Sequence, residues 1–162
     1  MECNSKYVDF LNKNFLGRDP YDILEKTIND IFKGKLVYVC SFGTESAVIL
    51  HMISRIDKNL PILMLNTNFL FNETISYKDY ILDKLNLKNF TELFPENSDL
   101  LSYDKKNILW KSNPDACCNI RKVLPLQKEL KKYTTWISGK KGYQSDSRKK
   151  IMIFELINEK IV

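Results

Sequence analysis

Cys117 and Cys118 stand side by side in the stretch SNPDACCNIRK, residues 112–122, of a 162-residue chain with four cysteines. A disulfide between them is a poor explanation: consecutive Cα atoms lie about 3.8 Å apart, and a disulfide wants about 4.4–6.8 Å. A shared core role is equally poor, because neighbours on a helix point about 100° apart. The flanks predict a helix start, with Asn113 as cap, Pro114 in the first turn and Asp115 after it. The thiols then sit near the positive end of that helix, with Arg121 and Lys122 one turn further on, and both effects favour thiolates. Two adjacent thiolates can bind separate irons of a polynuclear cluster, which suits a 4Fe-4S site. Zinc would want two further close ligands. The one histidine, His51, falls in an apolar helical stretch and reads as structural. Cys40 ends an apolar run and reads as a small buried hydrophobe. Cys3 lies in a terminal stretch that reads as loose.

A second stretch, SFGTES (41–46), connects an apolar strand pattern to a helical one. Backbone N–H groups at a helix start, in a turn relaxed by Gly43, form a nest for an anion. Ser41, Thr44 and Ser46 add hydroxyl donors suited to phosphate or sulfate. Neither the Walker ending nor the Rossmann glycine pattern is present. Glu45 stands against an anion unless it points away, and a plain helix cap by Thr44 explains the stretch about as well on its own.

The net charge of +5 is unevenly spread. Residues 119–150 hold ten Lys or Arg against Glu129 and Asp146. Such a block suggests an anionic partner, either nucleic acid or a phosphorylated small molecule. Aromatic residues do not interleave with the basic ones as a strand-stacking surface requires, which argues against nucleic acid. Lys128, Lys131 and Lys132 read as a solvated helical face.

The elements that must position these residues follow from periodicity. Residues 19–34 have helical spacing, with Pro20 near the start and Gly34 just past the end. Apolar strands are predicted at 36–40, 61–65, 90–94 and 134–138, and helices at 46–56 and 73–85. Residues 95–106 read as polar and irregular, 139–150 as a basic loop and 151–162 as strand-like. Strands alternating with helices predict an α/β fold, doubly wound and mostly parallel, with helices on both faces. Ligands of such sheets bind outside the carboxyl ends of the strands, here 41–46, 66–74 and 139–148. Residues 1–18 read as a tail before one domain, 19–162. No apolar run nears the roughly 18 residues of a membrane span. The polar N-terminus resembles no secretory signal, so a cytoplasmic protein with reduced thiols and no membrane contact is expected.

SFGTESAVILHM, FNET, NPDACCNIRKVLPL and WISGKKGYQSDSR, in this order and spacing, together resemble the phosphoadenylyl-sulfate and adenylyl-sulfate reductases of the PP-loop, adenine-nucleotide alpha-hydrolase-like superfamily. The resemblance runs from about residue 20 to the C-terminus. It implies thiol-dependent reduction of adenylyl sulfate or phosphoadenylyl sulfate to sulfite in sulfate assimilation. A cysteine thiolate attacks the sulfur, the nucleotide leaves, and thioredoxin or glutaredoxin clears the S-sulfocysteine. It also implies site residues. Ser41, Phe42, Gly43, Thr44, Glu45 and Ser46 would hold the phosphosulfate end, and Asn66 and Thr67 would lie beside the adenosine. Lys141, Gln144, Ser145 and Arg148 would lie over the substrate, with Arg121 and Lys122 adding positive charge. Cys117 and Cys118 would be two of four ligands to a 4Fe-4S cluster.

The family's second cysteine pair and its cysteine-bearing C-terminal tail find no counterpart in these 162 residues. Asn66 stands where Asp is usual, Asn68 where Gly is usual, and Gly142 where Arg is usual. The chain is therefore expected to be the nucleotide-binding part of such a reductase, truncated at its C-terminus. The alternatives are a module that binds a sulfonucleotide without turnover, or an ATP-dependent PP-loop adenylyl transferase. Two chains sharing one cluster would make a homo-oligomer.

Overall fold

The computed structural model describes residues 4–141, 143 and 146–162. Helix α1 (Ser5–Phe15) is capped by Asn4, whose side chain accepts from the Tyr7 N–H, and it buries Val8, Leu11 and Phe15. Much of the stretch read as a tail is thus part of the core. Its apolar residues recur every three or four positions, a helical period among many polar neighbours. Helix α2 (Pro20–Lys26) starts at the Asp19 cap and runs on through a wide π-type turn, Thr27–Ile31. Gly34 follows with φ +72°, a left-handed position that glycine accepts freely.

The chain then alternates as expected: β1 (Leu36–Val39), α3 (Ser46–Ile56), β2 (Ile62–Leu65), α4 (Asn72–Leu85) and β3 (Phe90–Leu93). The segment read as irregular instead holds α5 (Asn97–Tyr103), followed by the short α6 (Leu109–Ser112). The Asn113 side chain accepts from the Ala116 N–H and starts α7 (Pro114–Cys118). A second wide turn, Asn119–Val123, leads into α8 (Leu124–Leu130). Pro125 explains that turn: it has no N–H to offer the carbonyl of Arg121, so the regular ladder opens there. Then come β4 (Thr135–Ser138), a 3₁₀ turn at Asp146–Arg148, β5 (Leu156–Ile157) and β6 (Lys160–Ile161). Only two short pieces of the strand-like 151–162 pair, as a hairpin turned at Asn158 and Glu159 with positive φ.

The six strands form one sheet in the order β3-β2-β1-β4-β6-β5, parallel except for the β5–β6 hairpin. Alternate residues face opposite sides. Leu36, Tyr38, Ile62 and Met64 pack with the helices of the first half, while Val37, Leu63 and Leu93 pack with Leu130 of α8. Burial on both faces is why β1 and β2 are almost continuously apolar. The chain passes from β1 to β2 and β3 on one side and returns to β4 on the other. The gap beyond β1 and β4 is the crevice where such sheets take ligands. Among the described residues no helix is long and apolar enough to cross a membrane.

Candidate functional site

The loops after β1 and β4 meet over one hollow of about 760 Å³. Ser41, Gly43, Thr44, Glu45 and Ser46 form one wall, and Ser138 to Lys141 with Arg148 form the facing one. Thr67 and Leu70 close the side toward β2, and Lys122 enters from the cysteine-bearing helix. Tyr38 and Cys40 contribute to its base. Among the described residues, four cations therefore border the hollow against the single carboxylate of Glu45. A neighbouring hollow of about 690 Å³, beyond Ile49 and Trp136, is lined mainly by aliphatic residues of α2, α3 and 151–154. Glu45, Lys140 and Lys141 border both, but Ser41, Thr44, Ser46, Lys122 and Arg148 line only the first, which is the one fitted for an anion.

Glu45 does not point away as a bound anion would require. Its carboxylate pairs with the Lys141 ammonium and accepts the Tyr143 hydroxyl. That hydrogen bond and the adjacent charge raise the Tyr143 pKa above its ordinary value. The two loops are thus tied by a carboxylate placed among cations. Glu45, not Thr44, occupies the cap position of α3 and makes no side-chain capping bond. The turn also differs from expectation: Phe42, with φ +53°, takes the left-handed conformation, and Gly43 does not. Phe42 can hold that conformation because its ring is buried edge-on against Phe90, and its N–H donates to the Cys40 sulfur at 3.3 Å. Phe42 is therefore core, set behind the hollow rather than on its wall.

Cys40 is buried, as its sequence setting predicts, and burial pushes its thiol up. Burial likewise raises Tyr38 well above the usual phenol range. Both groups stay neutral at physiological pH, so the base of the hollow offers no ready nucleophile.

Arg121 and Asn66 also leave the expected set of ligand contacts. Arg121 is 1% exposed. Its Nη2 donates to Asp104 Oδ2 at 2.6 Å and to Asn107 Oδ1 at 2.8 Å, and its Nη1 donates to the Thr67 carbonyl at 2.8 Å. The guanidinium also stacks on Phe69, 4.4 Å from the ring centre. Asn66 donates to Glu92 at 2.7 Å and accepts the Asn68 N–H at 2.9 Å, so it braces its own loop. An Asp at position 66 would set two carboxylates face to face, which gives Asn a reason to be there. Asn68 has φ +65°, the left-handed region that Asn tolerates better than other non-glycine residues, so it replaces Gly at low cost.

Cys117 is buried and Cys118 exposed, as adjacent helical positions require. No group of three or more His, Cys, Asp or Glu able to hold a metal occurs among the described residues. The chain thus supplies two adjacent thiols, half of the set a four-thiolate cluster needs, and these residues alone do not fit one. His51 turns out to be exposed on α3, not enclosed by apolar neighbours. Gln144 and Ser145, expected over the ligand, lie outside the described residues, as do Gly142 and Cys3. Part of the basic block is neutralised elsewhere, by Lys128–Glu96 at 2.5 Å and Lys132–Glu129 at 2.7 Å. Sequence reasoning missed Lys140, Tyr143 and Trp136 as site residues. Lys140 and Tyr143 sit in the same basic loop, and that was their one signal. It missed Asp104 entirely.

Residues 35–161 match the family model described as the phosphoadenosine phosphosulfate reductase domain. A Mesorhizobium japonicum protein named adenosine 5'-phosphosulfate reductase is 37% identical over 142 residues, covering 88% of this chain and 56% of the relative. A Chelativorans protein of the same name is 40% identical over 129 residues, covering 80% of this chain and 53% of that one. The chain thus spans about half the length of these relatives. A crystal structure of phosphoadenylyl-sulfate reductase from Candida auris, in complex with phosphate, superposes with a TM-score of 0.77 at 21% identity. It covers 98% of this chain and 77% of the other, and shows that the fold is shared.

Proposed function

The chain belongs to the phosphoadenosine phosphosulfate reductase domain family, and from that premise we propose that its residues bind and orient an adenine sulfonucleotide for thiol-dependent reduction. The observation that carries this reading is the meeting of the loop 41–46 with Gly139, Lys140, Lys141 and Arg148 across one cation-lined hollow. Lys122, Lys140, Lys141 and Arg148 would neutralise the phosphosulfate. The hydroxyls of Ser41, Thr44 and Ser46 would donate to its oxygens, as would Gln144 and Ser145. Preorganised donors around a group that leaves as an anion stabilise the charge it develops. Thr67 and Leu70 would form the adenosine side. Adenylyl sulfate is the favoured ligand, on the names of the similar relatives.

The transfer step needs a thiolate aligned with the sulfur. Of the described thiols only Cys40 lines the hollow, and burial keeps it neutral. In this reading residues 1–162 do the binding, and the attacking sulfur comes from polypeptide outside them. A 4Fe-4S cluster on Cys117 and Cys118 would likewise take two thiolates from outside, so no step is assigned to it. Thioredoxin or glutaredoxin, in a reducing cytoplasm, would return the thiolate. Binding without turnover is the second reading, since Cys40, the one described thiol lining the hollow, is buried.

Calorimetric titration with adenylyl sulfate, phosphoadenylyl sulfate and ATP tests the binding, and a sulfite assay with thioredoxin tests turnover. The first reading expects adenylyl sulfate to bind more tightly than ATP. ATP binding alone would point to a nucleotidyl transferase instead.

A further inference from the structure

Arg121 is the most thoroughly buried ion in the described chain, yet it lies between two features that chemistry would use. It follows Cys117 and Cys118 by one turn of the same helical run, and its next neighbour, Lys122, enters the hollow. Its own side chain turns the other way. One amino group holds Asp104 and Asn107 in the link between α5 and α6, and the other holds the carbonyl of Thr67, which lines the hollow. The guanidinium carbon lies over the ring of Phe69, two residues on, 4.4 Å from its centre. Asp104 completes the arrangement by accepting the Leu109 N–H at 2.9 Å. A planar, permanently charged fork suits such a junction, since it fixes several directions at once.

Desolvating an ion pair this deep is costly, and a pair of apolar residues would hold the same space at least as stably. What the pair adds is geometry: three segments far apart in sequence meet at fixed distances. Loop 66–70 is anchored at one end by the Asn66 bonds to Glu92 and Leu93 and at the other by Leu70 against the core, and Arg121 holds its middle, where Asn68 is left-handed and Phe69 exposed. The Arg121 Nε is buried without a partner, so the side chain accepts an unsatisfied donor to make these contacts.

We propose that Arg121 is a positioning residue that clamps the 66–70 wall of the hollow to the helix carrying Cys117 and Cys118, thereby setting the spacing between bound ligand and thiols. It touches neither the ligand nor the sulfurs. The ligand half of this statement rests on the sulfonucleotide reading above; the clamp itself does not.

The test uses the full 162-residue chain, with Asp104→Asn as the main variant, because it keeps the shape and removes the charge pairing. Arg121→Lys keeps the charge but loses the fork. Amide hydrogen exchange without ligand is read first. In Asp104→Asn, exchange at Phe69 and Leu70 should rise tenfold or more, while the strands at 36–39 and 62–65 keep their protection. In Arg121→Lys the same amides should change in the same direction. Unchanged exchange at 67–70, or an equal loss across the sheet, overturns the clamp. Adenylyl sulfate affinity is read second. Both variants should bind at least fivefold more weakly than wild type, with the sheet still protected. Wild-type affinity in a variant whose loop has loosened removes the link to ligand. Failure of the wild type to bind, with the exchange pattern as expected, refutes the sulfonucleotide reading and leaves the clamp standing.

Discussion

Lys141, on the loop after β4, reaches across the hollow to Glu45, on the loop after β1, and their ion pair joins the two walls. A carboxylate there occupies ground that an incoming anion would claim. Replacing Glu45 by Gln removes a like charge and should tighten adenylyl sulfate binding on the order of threefold. Lys141→Met removes a charged donor, which is worth about 1.5–3 kcal/mol, so binding should weaken tenfold or more. Titration calorimetry at two salt concentrations checks both, and the wild-type affinity should fall as salt rises.

Asp104 gives the fold an acid-sensitive component. Burial pushes its carboxyl up, but the Arg121 hydrogen bond, the Leu109 N–H, the Arg121 charge and the Ile108 N–H together outweigh that and hold it below the ordinary range. A carboxyl depressed on folding stabilises the native state above its unfolded pKa of about 3.9. That stability is lost as pH falls through the lower, folded value. Asp104→Asn should therefore be less stable than wild type at pH 7, with a smaller difference below about pH 3. Urea unfolding across pH 2–7 measures this.

The thiols should separate by exposure. In a Cys3→Ser background, iodoacetamide should modify Cys118 in the native protein and leave Cys40 and Cys117 intact until the chain unfolds. Peptide mapping after timed alkylation gives the order. Native-state reaction at Cys40 would contradict its burial.

The loop at 66–70 makes its own prediction. Asn68→Gly keeps the left-handed backbone and should change stability by less than about 0.5 kcal/mol. Asn68→Val puts a branched side chain at φ +65° and should cost about 1–3 kcal/mol. Thermal unfolding of the two variants distinguishes them.

Leu11 tests the N-terminal helix, being 2% exposed in the core. Leu11→Ala should cost about 2–5 kcal/mol by denaturant unfolding, a loss no loose tail could produce.

Where the sequence was readable, the cause was local. The runs 36–40 and 61–65 are apolar because both faces of a parallel strand are covered, and Asn113-Pro114 marks a helix start by its own chemistry. The pairing of 41–46 with Lys141 and Arg148 was legible through strand alternation, which places successive loops at one end of the sheet, and through the family resemblance, which put both on one ligand. Long-range geometry was not legible. Arg121 sits beside Lys122 in the sequence, and no pattern says that one turns inward to Asp104 while the other lines the hollow. The left-handed turn at Phe42 was hidden because its support, the Phe90 ring, comes from a strand 48 residues away. The helix α1 was missed because its apolar face is narrow and polar residues surround it.

Amide hydrogen exchange with and without saturating adenylyl sulfate tests the central claim most directly. The account predicts that amides in 41–46 and in 138–141 gain protection together on addition of the ligand. Protection at one loop alone, or at neither, would contradict a single hollow built from both.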